Sequence, residues 1–189
     1  MIQINRDKYK YDINTFLEAT KESSYVIGLL TTDGCVKQNN NNCTLTLNNT
    51  DKYIVEIYKK VLKSDRPINK LIDNYSFDCN NPFIIENIKL WNLKPRKSMN
   101  EEIPFLLENN IEMLKYWIVG LIDSDGYIGL YNKTLIINIL ASKQIVDYLN
   151  NIIYGKVCQH KNYANLYELV FTNHNAVDFY KWLGGCGLC

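Results

Sequence analysis

The chain has 189 residues, 47% of them hydrophobic and 22% charged, an ordinary soluble composition with enough length for one domain or two small halves around a real core. A formal net charge of +1 and a pI near 7.5 give no global basic signal, so any nucleic-acid surface has to be local. No apolar stretch approaches the roughly 20 residues that span a bilayer, and the start MIQINRDKYKYD lacks an apolar signal core; an intracellular, soluble protein without membrane contact is expected.

In chain order, the first clear element is an apolar helix ending in YVIGLLTTDG (25–34), with Gly34 expected as a left-handed residue that stops it. Strands at 35–39 and 43–48 follow, the second carrying the alternating TLTL. An amphipathic helix at 51–63 places Ile54, Ile57, Tyr58 and Val61 at helical spacing. Strands at 67–73 and 75–79 and a helix at 83–92 close the run. Segment 94–113, with KPRKS, two glutamates and Pro104, reads as a linker between a first module (1–93) and a second (114–189). The second module runs through the same order. A helix ends at WIVGLIDSDG (117–126) and Gly126, strands lie at 127–132 and 135–140, and a helix follows at 142–153. Strands at 156–160 and 165–172 precede a helix at 173–183.

The order repeats because the sequence does. At an offset of about 92 residues, YVIGLLTTDG overlies WIVGLIDSDG; at about 91, TDKYIVEIYKKV (50–61) overlies ASKQIVDYLNNI (141–152). IKLWNL (88–93) overlies FYKWLG (179–184), with Trp91 on Trp182. The change of offset implies one residue gained or lost near 48–50. Three matches in order imply two copies of an αββαββ module related by a pseudo-two-fold axis. The six cysteines are read as free thiols. Cys186 and Cys189 form a CxxC for which no further zinc ligands stand at suitable spacing.

Each motif helix carries a small residue four positions before another: Gly28 and Thr32, Gly120 and Ser124. Such stripes let helix backbones approach closely, so the two helices are expected to meet across the pseudo-dyad. Asp33 and Asp125 would then emerge together at helix C-termini, where the macrodipole and their mutual repulsion both disfavour negative charge. A divalent cation held between them removes both costs. Mg²⁺ accepts few protein oxygens and completes its shell with phosphate and water, as phosphodiester hydrolysis requires. The copies also separate two roles, since Asp33 matches Asp125 whereas Thr31 stands opposite Asp123. The retained acid is the candidate ligand, and Asp123 is a local hydrogen-bonding or capping residue.

VIGLLTTDG (26–34) and IVGLIDSDG (118–126) resemble the paired motifs of the LAGLIDADG homing endonucleases. The resemblance extends over roughly 20–185 through SKQIVDYLNNI and WNLKPRKS. It implies an α+β monomer with packed motif helices at its centre and two antiparallel, saddle-forming sheets. It further implies Mg²⁺-dependent cleavage of both strands of a long double-stranded DNA target, in the service of intron or intein mobility. Asp33 and Asp125 would be catalytic metal ligands, with the Gly34 and Gly126 carbonyls as further candidates and Mn²⁺ as a substitute ion. Lys97 is the candidate for stabilising charge at the scissile phosphate, and Arg96 a phosphate clamp. Strand alternation would turn Val36, Leu45, Leu47, Ile128, Leu130, Ile137 and Ile139 inward. Cys35, Lys37, Thr44, Thr46, Tyr127, Tyr131, Lys133 and Asn138 would then face the groove, where donors and acceptors read base edges. The second module has GGCGLC where the first has LKPRKS, so it lacks a match to Lys97; Lys156 or Lys161 could serve there. The same scaffold admits a second reading, a non-cleaving protein acting as an RNA-splicing maturase or a DNA-binding regulator.

Overall fold

The computed structural model describes residues 8–39, 42–93 and 101–184. Helix α1 (Lys21–Thr32) begins on a reciprocal cap: the Ser23 backbone N–H donates to Thr20 Oγ1 at 3.1 Å, and the Thr20 N–H donates to Ser23 Oγ at 2.8 Å. There follow β1 (Gly34–Asn39), β2 (Asn42–Asn49), α2 (Lys52–Val61), β3 (Asn69–Lys70), β4 (Tyr75–Cys79) and α3 (Pro82–Asn87). Helix α4 (Ile111–Asp125) restarts the order with β5 (Tyr127–Tyr131), β6 (Thr134–Ser142), α5 (Lys143–Ile153), β7 (Lys156–Gln159), β8 (Leu166–Thr172) and α6 (Asn173–Leu183). Two four-stranded antiparallel sheets result, ordered β1-β2-β4-β3 and β5-β6-β8-β7. The architecture is the expected α+β pair of αββαββ units.

Helices α1 and α4 form the centre. Every residue of α1 from Ser23 to Thr31 is buried, which is why the helix is apolar on nearly every side instead of along one stripe. Helices α2 and α5 bury one face each, through Ile54, Val55 and Tyr58 and through Ile145, Val146 and Leu149. Beneath them the inward rows of the sheets complete the core: Leu45, Leu47, Phe77 and Cys79 in the first, Ile137, Ile139, Leu169 and Phe171 in the second. Phe171 stacks on Phe179 of α6 with ring centroids 4.2 Å apart. The offset between the copies also has a structural place. In the second unit β6 runs straight into the N-cap Ser142 of α5, whereas in the first Thr50 intervenes between β2 and the N-cap Asp51 of α2.

Several expectations are corrected. Gly34 and Gly126 are not left-handed: the C-cap of α1, Asp33, has φ −77°, Gly126 has φ −89°, and Gly184 is the one positive-φ glycine among the described residues. Glycine is needed there for space. A Cβ on Gly34 would lie 2.4 Å from the Leu30 carbonyl oxygen, and one on Gly126 would lie 2.5 Å from Ile122 Cα. The strand expected at 67–73 shrinks to Asn69–Lys70, because Pro67 offers no N–H and Leu71–Asn74 closes a turn with Leu71 N–H on the Asn74 carbonyl at 2.8 Å. The helix expected at 83–92 tightens to a 3₁₀ turn at Ile88–Trp91 and stops at left-handed Asn92. Ile128 and Leu130 lie on the inward-pointing row of β5 but are 49% and 73% exposed, since this edge hairpin projects beyond the helices that cover Ile137 and Ile139.

Candidate active site at the paired helix ends

The stripes of small residues meet as their spacing suggests. A Cβ on Gly28 would lie 2.3 Å from the Trp117 carbonyl oxygen and 2.8 Å from Gly120 Cα. One on Gly120 would lie 2.2 Å from the Tyr25 carbonyl oxygen and 2.9 Å from Gly28 Cα. These contacts are mates under the pseudo-two-fold, and they require parallel helices with backbones touching. One turn further on, the Thr32 and Ser124 hydroxyls hydrogen-bond to each other, and Ser124 Oγ also donates to the Gly120 carbonyl at 2.9 Å. Asp33 and Asp125 come next in their chains. One carboxylate from each half therefore leaves the pair at the same end, beside the Thr32–Ser124 contact, where β1 and β5 start.

A second reciprocal pair of bonds locks the helices side by side. Tyr25 Oη donates to Asp123 Oδ2 at 2.8 Å, and Trp117 Nε1 donates to Thr31 Oγ1 at 3.2 Å. Tyr25 and Trp117 are equivalent in the repeat, as are Thr31 and Asp123, so each half supplies an aromatic donor to an acceptor in the other. Thr31 is buried, and its hydroxyl donates onward to the Ile27 carbonyl at 2.7 Å. This explains why the sixth motif position need not keep its acid: the task is to accept a hydrogen bond. The expected local hydrogen-bonding role of Asp123 takes this form.

Asp33 has a partner that sequence reading missed. Asn49 Nδ2, at the end of β2, donates to Asp33 Oδ2 at 2.7 Å. The donor offsets part of the cost of a carboxylate at a helix C-terminus and fixes its orientation. The one sequence signal was the extra residue near 48–50, which lies beside Asn49. Asn49 also lines an open cleft with Thr50, Asp51, Tyr53, Ile54, Asp123 and Ser124. Around the helix ends the donors are carboxylate, amide and hydroxyl oxygens. This is a hard set suited to Mg²⁺, Mn²⁺ or Ca²⁺ rather than to a thiolate- or imidazole-seeking metal. Among the described residues no group of three or more His, Cys, Asp or Glu side chains is gathered to hold a metal alone. A cation here would draw the rest of its shell from substrate and water.

Register defines the outer faces of the sheets, since directly opposed residues in antiparallel strands share a face. In the first sheet the outer rows are Cys35–Thr46–Asp78, Lys37–Thr44 and Asn48–Ser76. Lys37 is exposed and Thr44 partly so. Thr46 is only 2% exposed, and its hydroxyl donates to Asp78 Oδ1 at 2.7 Å, with the Arg66 guanidinium 3.8 Å from the same carboxylate. Thr46 thus belongs to a network within the sheet. In the second sheet Tyr127 pairs with Asn138 and Tyr131 with Thr134, and Lys133 is exposed in the hairpin turn. Both turn residues, Asn132 and Lys133, have positive φ, as a two-residue hairpin requires. Tyr127 and Tyr131 are exposed, while the side-chain oxygen Oδ1 of Asn138 is buried without a protein partner among the described residues. Lys97, Arg96 and the CxxC at Cys186 and Cys189 lie outside the described residues.

No family model and no curated protein matches the chain by sequence. Solved structures match it by shape. The LAGLIDADG homing endonuclease I-GzeII, in complex with its DNA target, superposes with a TM-score of 0.64 at 11% identity over 88% of this chain and 84% of that one. The LAGLIDADG homing endonuclease I-LtrWI, bound to target DNA, gives 0.62 at 14% identity over 94% and 85%. The meganuclease I-SmaMI, bound to uncleaveable DNA, gives 0.60 at 12% identity over 90% and 86%. At such identities the likeness concerns the fold: two αββαββ units about a central helix pair, the pseudo-symmetric fold of the LAGLIDADG endonucleases.

Proposed function

We propose that the chain is a site-specific DNA endonuclease of the homing type, acting as a monomer on a long, asymmetric double-stranded target. The observation that carries this reading is the parallel helix pair, which brings one carboxylate from each half to a single end where both sheets begin. The solved proteins of the same fold are in complex with DNA targets, which supports duplex DNA as the partner. Asp33 and Asp125 would hold divalent cations, Mg²⁺ with Mn²⁺ as a substitute, aided by the Gly34 and Gly126 carbonyls. A bound cation supplies Lewis-acid stabilisation of the attacking and leaving oxygens. Asn49 orients Asp33, the Thr32–Ser124 contact fixes the spacing of the two halves, and Lys97 neutralises charge developing on the phosphate. Lys37, Thr44, Tyr127, Tyr131, Lys133 and Asn138 face the duplex, and Arg96 holds its backbone.

Incubating the protein with a randomised plasmid library in Mg²⁺ and sequencing the ends tests the reading. One recurrent long site cut on both strands is expected. A site bound tightly but left intact in both Mg²⁺ and Mn²⁺ would replace the nuclease with a non-cleaving DNA binder. Tight binding to a structured RNA alone would point to a maturase.

A further inference from the structure

The outer faces of the two sheets are chemically unlike each other. The first is built from Cys35, Lys37, Thr44, Thr46, Asn48, Ser76 and Asp78: hydroxyls, an amide, a thiol and charges. On the second, the three strands β5, β6 and β8 present Ile136, Leu140 and Val170 around the single amide of Asn138, with Thr134, Glu168 and Thr172 beside them on the same face. The register is Gly129–Ile136–Thr172, Tyr127–Asn138–Val170 and Leu140–Glu168. Ile136, Leu140 and Val170 are each partly exposed, although strand alternation normally turns the outward row of a half-buried sheet polar. Tyr127 adds to this surface. A Cβ on Gly129 would lie 2.1 Å from the Tyr127 hydroxyl, so the ring lies along the sheet over Gly129, next to Ile136. None of these positions on β5, β6 and β8 is a lysine or arginine; Lys156 on β7 is paired beyond Val170.

From this contrast we infer that the second sheet reads its half of the target through thymine C5-methyl groups, so that this half-site is A·T-rich while the half under the first sheet is mixed. The inference rests on the DNA-binding reading above and specifies what that surface recognises. In the major groove the thymine methyl is the base-edge feature that an aliphatic side chain can bury favourably. Against G·C pairs the same aliphatics would strip water from the guanine acceptors and the cytosine donor and return no hydrogen bond.

Uracil differs from thymine only by that methyl, and it allows a test on the unmodified full-length protein. A bound duplex is first selected from a random library in Ca²⁺. Each thymine is then replaced by uracil in one half-site at a time, and affinity is measured. Replacement in one half is expected to weaken binding about fourfold for each buried methyl removed, and replacement in the other half to leave it unchanged. The sensitive half should be the A·T-rich one, and Ile136→Ala and Leu140→Ala should lose the thymine–uracil difference in that half alone. A selected duplex whose affinity ignores uracil in both halves overturns this inference and leaves the endonuclease reading standing. Failure to select any duplex overturns both.

Discussion

Asp33 and Asp125 occupy helix positions where an acid is unfavourable, and the surroundings of Asp33 show what keeps one there. The Asn49 amide at 2.7 Å supplies a charge-assisted bond and holds the carboxylate in place. Asn49→Ala is therefore expected to slow cleavage about tenfold or more, the worth of one hydrogen bond to a charged group, with affinity for the duplex nearly unchanged. Single-turnover rates beside a binding isotherm would check this, and equal losses in both would contradict a positioning role. Asp123 shows the opposite case, an acid placed for structure. Tyr25→Phe removes its 2.8 Å donor from the helix interface and is expected to cost about 1–3 kcal/mol. At roughly 2–4 °C per kcal/mol for a chain of this size, the loss would be visible in a thermal melt.

The α1–α4 pair is held together by the absence of side chains as much as by their presence. Gly28→Ala would place a methyl 2.3 Å from the Trp117 carbonyl oxygen, and Gly120→Ala one 2.2 Å from that of Tyr25. Neither neighbour is a flexible side-chain end, so both helices must part; a loss of about 1–3 kcal/mol or more is expected for each. Urea denaturation would measure it. Because the two contacts lie within one interface, the double variant should depart from additivity. In the layer below, the buried Tyr58 hydroxyl finds no partner among the described residues, and burial raises its phenol pKa well above the usual value. Tyr58→Phe keeps the edge-on contact with Phe77 and removes the orphan oxygen, so an unchanged or raised Tm is expected. Elements were the most legible part of the sequence, because period, turn residues and the repeat all agree. What escaped was set by tertiary space. Gly34 and Gly126 look like left-handed stops but serve as clearances, and Ile128 and Leu130 have core-type side chains on a hairpin that stays largely exposed among the described residues.

Considered whole, the molecule is two copies of one unit whose symmetry is kept at the centre and lost towards the edges. The glycine contacts, the aromatic-to-acceptor bonds and the sheet orders repeat, whereas Asn49 stands where β6 offers Ala141, and the outer faces differ in chemistry. Both motif aspartates could be picked out from the repeat alone, since the acid at Asp33 and Asp125 is kept in both copies while Thr31 stands opposite Asp123. Asn49 could not, because its partner is reached only through folding β2 back against the end of α1. The near-neutral charge also bears on binding. Lys37 and Lys156 on the outward rows and Lys133 in the hairpin turn are the lysines on the DNA-facing side of the described sheets, and Arg96 and Lys97 would add two. A log-log salt slope of only about −3 to −5 is expected, measurable by titration at several KCl concentrations. The central claim, that one carboxylate from each half forms a single hydrolytic centre, is tested most directly by cleavage of a supercoiled plasmid carrying the selected site. Wild type in Mg²⁺ should give linear product. Asp33→Asn and Asp125→Asn should each bind the site in Ca²⁺ with little change yet give no linear product in Mg²⁺. Linear product from both variants at the wild-type rate would contradict it.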